Sequence, residues 1–462
     1  MPNLGAKRSQ FTHFLFRYIP NLRTGGINMP KWAKIISGAA VLSAVPMLAW
    51  SQDAATIDST ITNDGFVFNT LLFLIGGFLV MWMAAGFAML EAGFVRSKNV
   101  SMQCLKNISL YSVAGIMFYL VGYNLMYGGS PHFFGSFAGP YVFAAEDAAT
   151  GYSSYSDWFF QMVFCATTAS IVSGTVAERI KFWPFLIFVV FLTGFIYPIV
   201  GSWEWGTGFL DKMGFSDFAG STLVHSTGGW AALVGALILG ARKGKYGPDG
   251  KVNPMPGSSM PLATLGVFIL WLGWFGFNGA SQLAMGTIAD ADSVARIFVN
   301  TNMAAAAGVV IAVIYMQLRY GKIDVTMALN GALAGLVAIT AEPLTPSVPV
   351  AMLVGGLGSL LAMLTVPLLD KLKVDDVVGA IPVHLVAGIF GTLAVAFTNS
   401  DVSFMPQLIG VVATGVFVSI VSAIIWFAMK ATIGLRVSEE DEMRGLDLAE
   451  VGVEAYPEFV QT

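Results

Sequence analysis

Charged residues are scarce in this sequence. Lys, Arg, Asp and Glu make up only 11% of its 462 residues, whereas hydrophobic residues make up 56%. A typical soluble domain carries about 25% charged residues, which keep its surface in water. The composition therefore excludes an ordinary soluble protein. Together with the long apolar segments described below it indicates an all-α membrane protein, because a helix satisfies all its backbone hydrogen bonds within the bilayer.

Cysteine and histidine are also rare, with two and four residues respectively. Cys104 and Cys165 lie in or beside apolar segments, so the sequence predicts neither a disulfide framework nor a metal site. No basic patch with interleaved aromatic residues points to a nucleic acid partner. No nucleophile and base stand in a recognisable arrangement, so we expect no enzymatic activity and no cofactor.

The first 51 residues are predicted to be an N-terminal extension followed by a signal peptide. From Met29 the chain has a basic start, a short apolar run and the small-x-small sequence Ala49-Trp50-Ser51. This order is typical of a bacterial secretory signal, here cleaved before Gln52. The stretch before Met29 resembles neither a domain nor a signal, and we interpret it as a misassigned upstream start.

Eleven apolar segments follow, each long enough, at roughly 17–25 residues, to cross a bilayer. Thirteen Lys and Arg residues, Lys106 among them, are assigned to loops after odd-numbered segments, against Lys212 and Arg296 after even-numbered ones. Positive loops face the cytoplasm. We therefore predict a multi-pass protein of the bacterial inner membrane, with an outside mature N-terminus, a membrane domain over residues 52–435 and a cytoplasmic tail over 436–462. The centres of the eleven segments lie near Val80, Phe118, Thr167, Val190, Ala232, Ile269, Val309, Leu336, Gly358, Gly391 and Phe417.

Two histidines lie inside apolar segments, and an aspartate precedes each by eight positions. The pairs are Asp217 with His225, in segment five, and Asp376 with His384, in segment ten. A repeat of five crossings must insert its two copies with opposite polarity, so we expect two inverted repeats, helices 1–5 and 6–10, plus an eleventh helix. An ionisable side chain at membrane depth is costly and indicates a transport path or a proton relay.

Asp217 has two interpretations. Its carboxylate is suited to capping the helix that follows, because aspartate accepts hydrogen bonds from the first amides of a helix. It also offers electrostatic support to a cation nearby. Direct contact with His225 is not expected, because eight residues turn a helix to about 80° away.

Four motifs together resemble the ammonium transporter family, on its bacterial Amt branch. They span Asp217–His225 with the second Val-His element, Ala177–Phe182 (AERIKF), Gly273–Asn278 (GWFGFN) and Gly434–Asp447 (GLRVSEEDEMRGLD). Their order is that of the family, and the resemblance covers nearly the whole chain after the signal. It implies a homotrimer in which each subunit has its own narrow hydrophobic pore.

The resemblance also implies roles for individual residues. His225 and His384 match the family's twin pore histidines, and Phe164 and Phe277 match the stacked phenylalanines that close the pore from outside. Leu385 departs from the family, where a glycine is common after the second histidine. The implied external vestibule for ammonium is made by Phe160, Trp205 and Ser281, with Trp203 as a weaker match than Trp205.

This set of residues suits ammonium. Aromatic faces attract a cation by roughly 0.5–2 kcal/mol each, and the Ser281 hydroxyl can accept a hydrogen bond. A small cation would pay many kcal/mol to cross a dry apolar lumen, whereas ammonia crosses far more cheaply. We therefore expect ammonium to be deprotonated near the phenylalanines and ammonia to pass His225 and His384, which desolvation keeps neutral. Potassium has no proton to lose.

Alternatives stay open on the same residues. The two histidines could ligate haem or serve only in packing, and Phe164 or Phe277 could be core residues. The protein could act as an ammonium sensor, or as a neutral gas channel of the Rh kind, although Trp205 and Ser281 favour ammonium capture. The acidic tail is either simply solvated or, by its resemblance to the family's tail, a coupling element that helps a PII-type regulatory protein block the pore.

Overall fold

The computed structural model describes residues 63–129, 133–144 and 150–459. The predicted extension and signal peptide lie outside the described residues. Within the described ranges the chain is all helical, with no β-strand and only two isolated β-bridges, Ile180 with Arg436 and Tyr246 with Val252. The all-α prediction is confirmed for this part of the chain.

Eleven helices that include every predicted segment centre are here numbered in chain order, followed by a short helix in the tail. They are α1 (Asn63–Phe94), α2 (Ser97–Tyr127), α3 (Ser154–Thr175), α4 (Phe182–Ser202), α5 (Ser221–Leu239), α6 (Met260–Ala280), α7 (Ile288–Tyr320), α8 (Val325–Ile339), α9 (Val348–Lys371), α10 (Ile381–Thr398), α11 (Phe404–Thr432) and α12 (Glu439–Arg444).

Nine helices of the described chain are long and apolar enough to cross a membrane, which makes the protein a multi-pass membrane protein. The other two predicted spans are α3, whose first turns are polar and aromatic, and α8, which has only 15 residues. A straight helix of that length rises about 22 Å, less than the roughly 30 Å of a bilayer core. The expected number of eleven spans therefore stays a prediction.

Two of the basic residues that the sequence pattern put in loops lie well inside helices. Lys106 lies within α2 and is fully buried, and Arg296 lies within α7, where it pairs with Asp292 at the exposed start of the helix. Loop counting assigned them wrongly because a hydropathy profile marks the apolar centre of a helix and misses polar turns at its ends.

Helices α1 and α6 form the closest pair, and glycines make this approach possible. A Cβ atom at Gly266 of α6 would lie 2.4 Å from the Leu90 backbone nitrogen of α1, and one at Gly93 would lie 2.5 Å from that of Ala263. Small residues allow membrane helices to pack backbone against backbone. This pair fixes the wall against which α3, α5 and α10 place the side chains described below.

Helix contacts recur at an interval of five helices. Helix α2 packs against α3 and α4, as α7 packs against α8 and α9, and α3 contacts α5 as α8 contacts α10. Helices α5 and α10 also touch each other through their first turns.

Candidate functional site

The first turns of α5 and α10 share one local design. Each turn is π-helical, over Ser221–Ser226 and Ile381–Val386, and each follows a glycine with positive φ, Gly220 at 107° and Gly379 at 80°. Glycine enters this left-handed region without the steric cost that a side chain carries. Both glycines stand three positions after the aspartate of their segment.

Asp217 caps the first turn of α5. Its carboxylate oxygens accept backbone N–H groups from Gly220, Ser221, Thr222 and Leu223 at 2.7–3.2 Å. Burial raises the pKa of Asp217 to about 6, although the four amide donors act to lower it. Asp217 thus makes the hydrogen bonds of a helix cap, and its electrostatic support of a cation stays a prediction.

Asp376 holds the first turn of α10 in a similar way. Its carboxylate accepts the Ile381 amide at 2.7 Å and the Thr175 hydroxyl at 3.0 Å. Burial raises the pKa of this carboxyl group, and its hydrogen bonds oppose the rise. One aspartate therefore anchors the start of each histidine-bearing helix.

The two histidines meet in the interior. His225 Nδ1 and His384 Nδ1 are 3.1 Å apart, and the rings lie 5.2 Å apart at 20°. His225 is completely buried and His384 is 4% exposed. His225 Nε2 has no hydrogen-bond partner among the described residues. Because one Nδ1 must donate and the other accept, one ring is left with an Nε2 acceptor and the other with an Nε2–H donor.

Two stacked phenylalanines lie next to the histidine pair. The rings of Phe164 on α3 and Phe277 on α6 are 4.0 Å apart at 26°, and the Phe277 ring lies 5.3 Å from that of His225. Both side chains are buried. The structure therefore brings together the four residues predicted for the pore.

An aromatic cavity of about 360 Å³ opens on the other side of these phenylalanines. Phe160 and Trp205 both approach Phe164 edge-on, at 4.8 and 6.2 Å. Ser281 also lines this cavity, so the three residues predicted for the vestibule share one space. Its lining is Phe73, Tyr123, Tyr127, Tyr152, Asp157, Phe160, Gln161, Phe164, Trp205, Phe218, Ser281 and Leu283.

Hydrogen bonds distinguish Trp205 from Trp203 and show how Ser281 is held at the aromatic cavity. Trp205 Nε1 donates to the backbone oxygen of Asp217, whereas Trp203 is buried and donates to Phe133 away from the cavity lining. Ser281 donates its hydroxyl proton to the Phe277 backbone oxygen at 2.8 Å. That bond uses only the donor, so the Ser281 oxygen keeps lone pairs that can accept from a ligand.

A second, narrow cavity lies beyond the histidines, lined by His384 and by residues of α1, α3, α8 and the start of α10. Its volume is about 10 Å³. That is close to the smallest space that holds a single water, roughly 10–15 Å³. Ammonia is of similar size. The aromatic cavity, the phenylalanines, the histidines and the narrow cavity thus follow one another through the protein.

The sequence did not single out three further side chains of this path. The Trp274 ring stacks on His225 at 5.0 Å and 17°, and its Nε1 donates to Thr340 Oγ1 at 2.8 Å. Asp157, which accepts the Tyr123 hydroxyl, lines the aromatic cavity. Glu91 lines the narrow cavity. Trp274 stands inside the recognised GWFGFN motif, three residues before Phe277, and that spacing was an available signal.

A network of buried ion pairs closes the end of the bundle where α1, α3 and α5 end and α10 begins. Arg242 contacts Asp375 at 2.8 Å and Glu178 at 3.1 Å, and Arg96 also pairs with Glu178. Burial acts to raise the pKa of Asp375, but hydrogen bonds from Arg242 and the charges of Arg179 and Arg242 hold it below its usual value. Among the described residues, no group of His, Cys, Asp and Glu is placed to hold a metal ion.

Comparison with known proteins places this geometry in a family. Residues 71–456 match the model of the Ammonium Transporter Family. The chain is 42% identical to ammonium transporter Amt2 of Archaeoglobus fulgidus, over 84% of this chain and 88% of that protein. It is 34% identical to the ammonium transporter of Aquifex aeolicus, over 84% and 93% of the two chains.

Solved structures agree with these relatives. The structure of a protein named Sensor Amt Protein is similar with a TM-score of 0.79 and 37% identity, over 84% of this chain and 99% of that one. Candida albicans Mep2 is similar with a TM-score of 0.75 and 26% identity, over 87% and 92%. The relatives named as transporters indicate a transport family and not an enzyme. The chain belongs to the ammonium transporter family.

Proposed function

We propose that this protein captures ammonium in the aromatic cavity, removes its proton and conducts ammonia past His225 and His384. The carrying observation is the contact of 3.1 Å between two imidazoles buried directly behind the stacked Phe164 and Phe277. A pair of imidazoles in a dry path can form hydrogen bonds with ammonia and can transfer a proton. A metal cation has no N–H group and no proton, so the pair does not lower the cost of its passage.

Capture rests on the lining of the aromatic cavity. Phe160, Phe164 and Trp205 present ring surfaces, each worth roughly 0.5–2 kcal/mol to a cation. The Ser281 oxygen supplies an acceptor for an N–H group. Asp217 lies one layer behind Trp205, whose indole donates to its backbone oxygen, and its carboxylate supports positive charge from there.

Selection against potassium takes place behind the phenylalanines. Both rings are buried and in contact, so a solute that passes them leaves its hydration shell behind. A bare cation in this apolar space costs many kcal/mol, which no partner among the four pore side chains repays. Ammonium escapes the cost by giving up its proton, and potassium does not.

The proton can follow through the imidazoles. Whichever ring donates through Nδ1, the pair carries one Nε2 acceptor and one Nε2–H donor. A proton that arrives at the acceptor Nε2 makes that ring an imidazolium, which can pass its Nδ1 proton to the neighbouring Nδ1 at 3.1 Å. The second ring then releases its own Nε2 proton onward.

The test is transport in proteoliposomes, first with ammonium and then with potassium. Wild-type protein should give ammonium uptake with a current and none with potassium. Combined His225→Ala and His384→Ala substitutions should abolish uptake or its selectivity. Thr222→Val with Thr392→Val is the matched control, because these hydroxyls join the same two helices at 2.7 Å and do not line either cavity. Normal selective uptake without the histidines contradicts the proposal.

A sensor function is the second candidate, and the likeness to the Sensor Amt Protein favours it. The same measurement separates the two. A sensor binds ammonium with little flux, so binding to purified protein without uptake in proteoliposomes would support it, whereas sustained uptake and current would support transport.

The proposed organisation is eleven spans in two inverted repeats of five, plus α11. Its support is the recurrence of helix contacts at an interval of five helices and the shared first turns of α5 and α10. In this proposal the protein lies in the bacterial inner membrane, with the mature N-terminus outside and the tail in the cytoplasm, and labelling of single cysteines from each side tests that orientation.

We also propose cleavage before Gln52, which N-terminal sequencing tests, and a homotrimer, which native mass measurement tests.

The tail offers a site of regulation by a PII-type protein. It folds back on α2, where Asp447 accepts the Ser101 and Met102 amides at 3.0 and 2.9 Å, and Lys98 Nζ donates to the Glu442 backbone oxygen at 2.9 Å. A partner that moves the tail therefore pulls on α2, whose far end contributes Tyr123 and Tyr127 to the aromatic cavity. Pull-down with a PII protein, carried out at low and at high ATP, tests this regulation, and no binding in either condition counts against it.

A further inference from the structure

A buried acid and a buried base face each other beyond the histidine pair. Glu91 on α1 is 1% exposed and Lys106 on α2 is fully buried, although both lie on helices that could span a membrane. Charged side chains at such positions are costly and mark functional paths or tight pairs. The transport scheme described above uses neither of them.

Hydrogen bonds organise this pair around Gln103 and Ser173. Glu91 Oε2 accepts from Gln103 Nε2 at 2.5 Å and from the Ser173 hydroxyl at 2.8 Å. Lys106 Nζ donates to the Ser173 backbone oxygen at 2.8 Å and to Gln103 Oε1 at 3.2 Å. Gln103 therefore bridges the acid and the base, and Lys106 also lies 4.6 Å from the centre of the Phe185 ring.

One carboxylate oxygen is left over. Glu91 Oε1 is buried without a hydrogen-bond partner among the described residues. Glu91 lines the narrow cavity together with His384, Ser170 and Asn330. A buried carboxylate oxygen without a partner is costly, and the only occupant that a cavity of about 10 Å³ admits is one molecule of water or ammonia size. The unpaired acid and the inner histidine therefore share a space made for one small solute.

We propose that Glu91 is the proton-accepting residue on the far side of the histidine pair, which completes the path by returning the proton to ammonia. In this step an N–H bond of the His384 imidazolium breaks and an O–H bond forms on Glu91. Ammonia in the narrow cavity then takes that proton, so the O–H bond breaks, an N–H bond forms and ammonium leaves. The inference rests on the proposed transport function.

Lys106 has a positioning role in this scheme. Through Gln103 it places a positive charge near Glu91 without contacting the narrow cavity. An isolated carboxylate at this depth would neutralise itself by holding a proton, and a nearby ammonium group favours the ionised form that can accept one. The competing interpretation is a purely structural link between α1, α2 and α3, which makes the same contacts but predicts no effect on charge movement.

The decisive variant is Glu91→Gln, which keeps the shape and the polar contacts of the side chain but cannot take up a proton. In proteoliposomes we expect its ammonium-evoked current to fall at least about tenfold, because a placed proton acceptor is typically worth more than that. Its ammonia permeability, measured separately under an ammonia gradient, should stay within about twofold. Ser173→Ala is the matched control, because it removes one hydrogen bond to the same carboxylate and leaves the acid.

The outcomes distinguish a failure of the role proposed for Glu91 from a failure of the proposed transport function. A wild-type current with an equal current in Glu91→Gln overturns the role of Glu91 and leaves the transport function intact. Absence of both uptake and current in wild-type protein contradicts the transport function itself.

If Glu91→Gln fails to fold, infrared difference spectra replace it. Ammonium added to wild-type protein should produce a protonated-carboxyl band, which Glu91→Asp shifts. No such band, or a band that is unchanged in Glu91→Asp, overturns the assignment.

Discussion

At the scale of single residues, the orientation of His225 depends on the aromatic surface beneath it. Trp274 stacks on the imidazole at 17°, and its indole is fixed in turn by Thr340, whose hydroxyl donates to the Leu336 backbone oxygen. The ring plane of His225 is thus set by a chain of contacts that begins on α8. Catalytic or transport groups need such support, because misplacement of about 1 Å is enough to lose their function.

We therefore expect Trp274→Leu to impair transport, although Trp274 itself is not one of the four residues predicted for the pore. Loss of the flat ring frees His225 to rotate away from His384, and we expect ammonium uptake to fall at least about tenfold. Trp274→Phe keeps a ring and loses only the bond to Thr340, so its uptake should stay within about threefold of wild type. Equal uptake by both variants and wild type would show that the stacking does not position His225.

Sequence alone predicted which residues meet at this site but not how they are held. The matched Asp-x7-His segments and the family motifs singled out His225, His384, Phe164 and Phe277, and these four side chains lie together in the structure. Trp274 was read only as part of a motif, because stacking depends on the rotation of α6 against α5, which one-dimensional spacing does not contain. Glu91 was not singled out because a lone acid at a helix end usually lies in water.

At the scale of elements, the π-helical turns of α5 and α10 decide where the histidines point. A π turn shifts the side chains that follow it around the helix, and such turns are frequent at functional sites. A hydropathy profile detects a helix by the length of its apolar segment and does not distinguish a π turn from an α turn. The Asp-x2-Gly-x4-His pattern of both segments predicts the turn only once the positive φ of Gly220 and Gly379 is known.

The cap on α5 can be tested by removing its acceptor. Asp217→Ala leaves four amides without their carboxylate, and loss of a helix cap typically costs about 0.5–2 kcal/mol of stability. Asp217→Asn keeps one acceptor oxygen, so its stability should lie between that of Asp217→Ala and that of the wild-type protein. Thermal unfolding in detergent measures the order, and an alanine variant as stable as wild type would show that other contacts hold the turn.

The acidity of Asp217 gives a separate test by pH. Its folded pKa of about 6 lies above the ordinary value of 3.8, so the folded protein binds a proton that the unfolded chain has already released. This stabilisation is present below pH 4 and is lost as the pH rises to 6, on the order of 2–3 kcal/mol. Relative to Asp217→Asn, wild-type protein should lose thermal stability across that window. Parallel melting curves at every pH would contradict the raised pKa.

At the scale of the whole molecule, the helix ends at one side of the bundle are linked by ion pairs. Glu178 adopts a positive φ of 67° after α3, which turns its carboxylate toward Arg96 and Arg242. The sequence predicted basic residues at this end from loop counting. It could not predict their acidic partners, because Asp375 lies 133 positions from Arg242 along the chain.

This network should be more important to stability than the exposed charges beside it. Arg242→Met leaves Asp375 buried without its ion-pair partner, and breaking such a pair typically costs about 3–5 kcal/mol. Glu178 keeps its pair with Arg96. Lys243→Met, one residue later, removes only a pair with Glu439 whose side chains are 53% and 68% exposed, and should cost at most about 1 kcal/mol.

Unfolding of the two variants in detergent, together with the double variant Arg242→Met with Asp375→Asn, completes this comparison. The double variant removes the uncompensated charge as well as its partner, so it should recover part of the loss seen in Arg242→Met. If Arg242→Met and Lys243→Met are equally stable, water reaches the network and screens its charges, and the ends of α3, α5 and α10 are held by their apolar contacts alone.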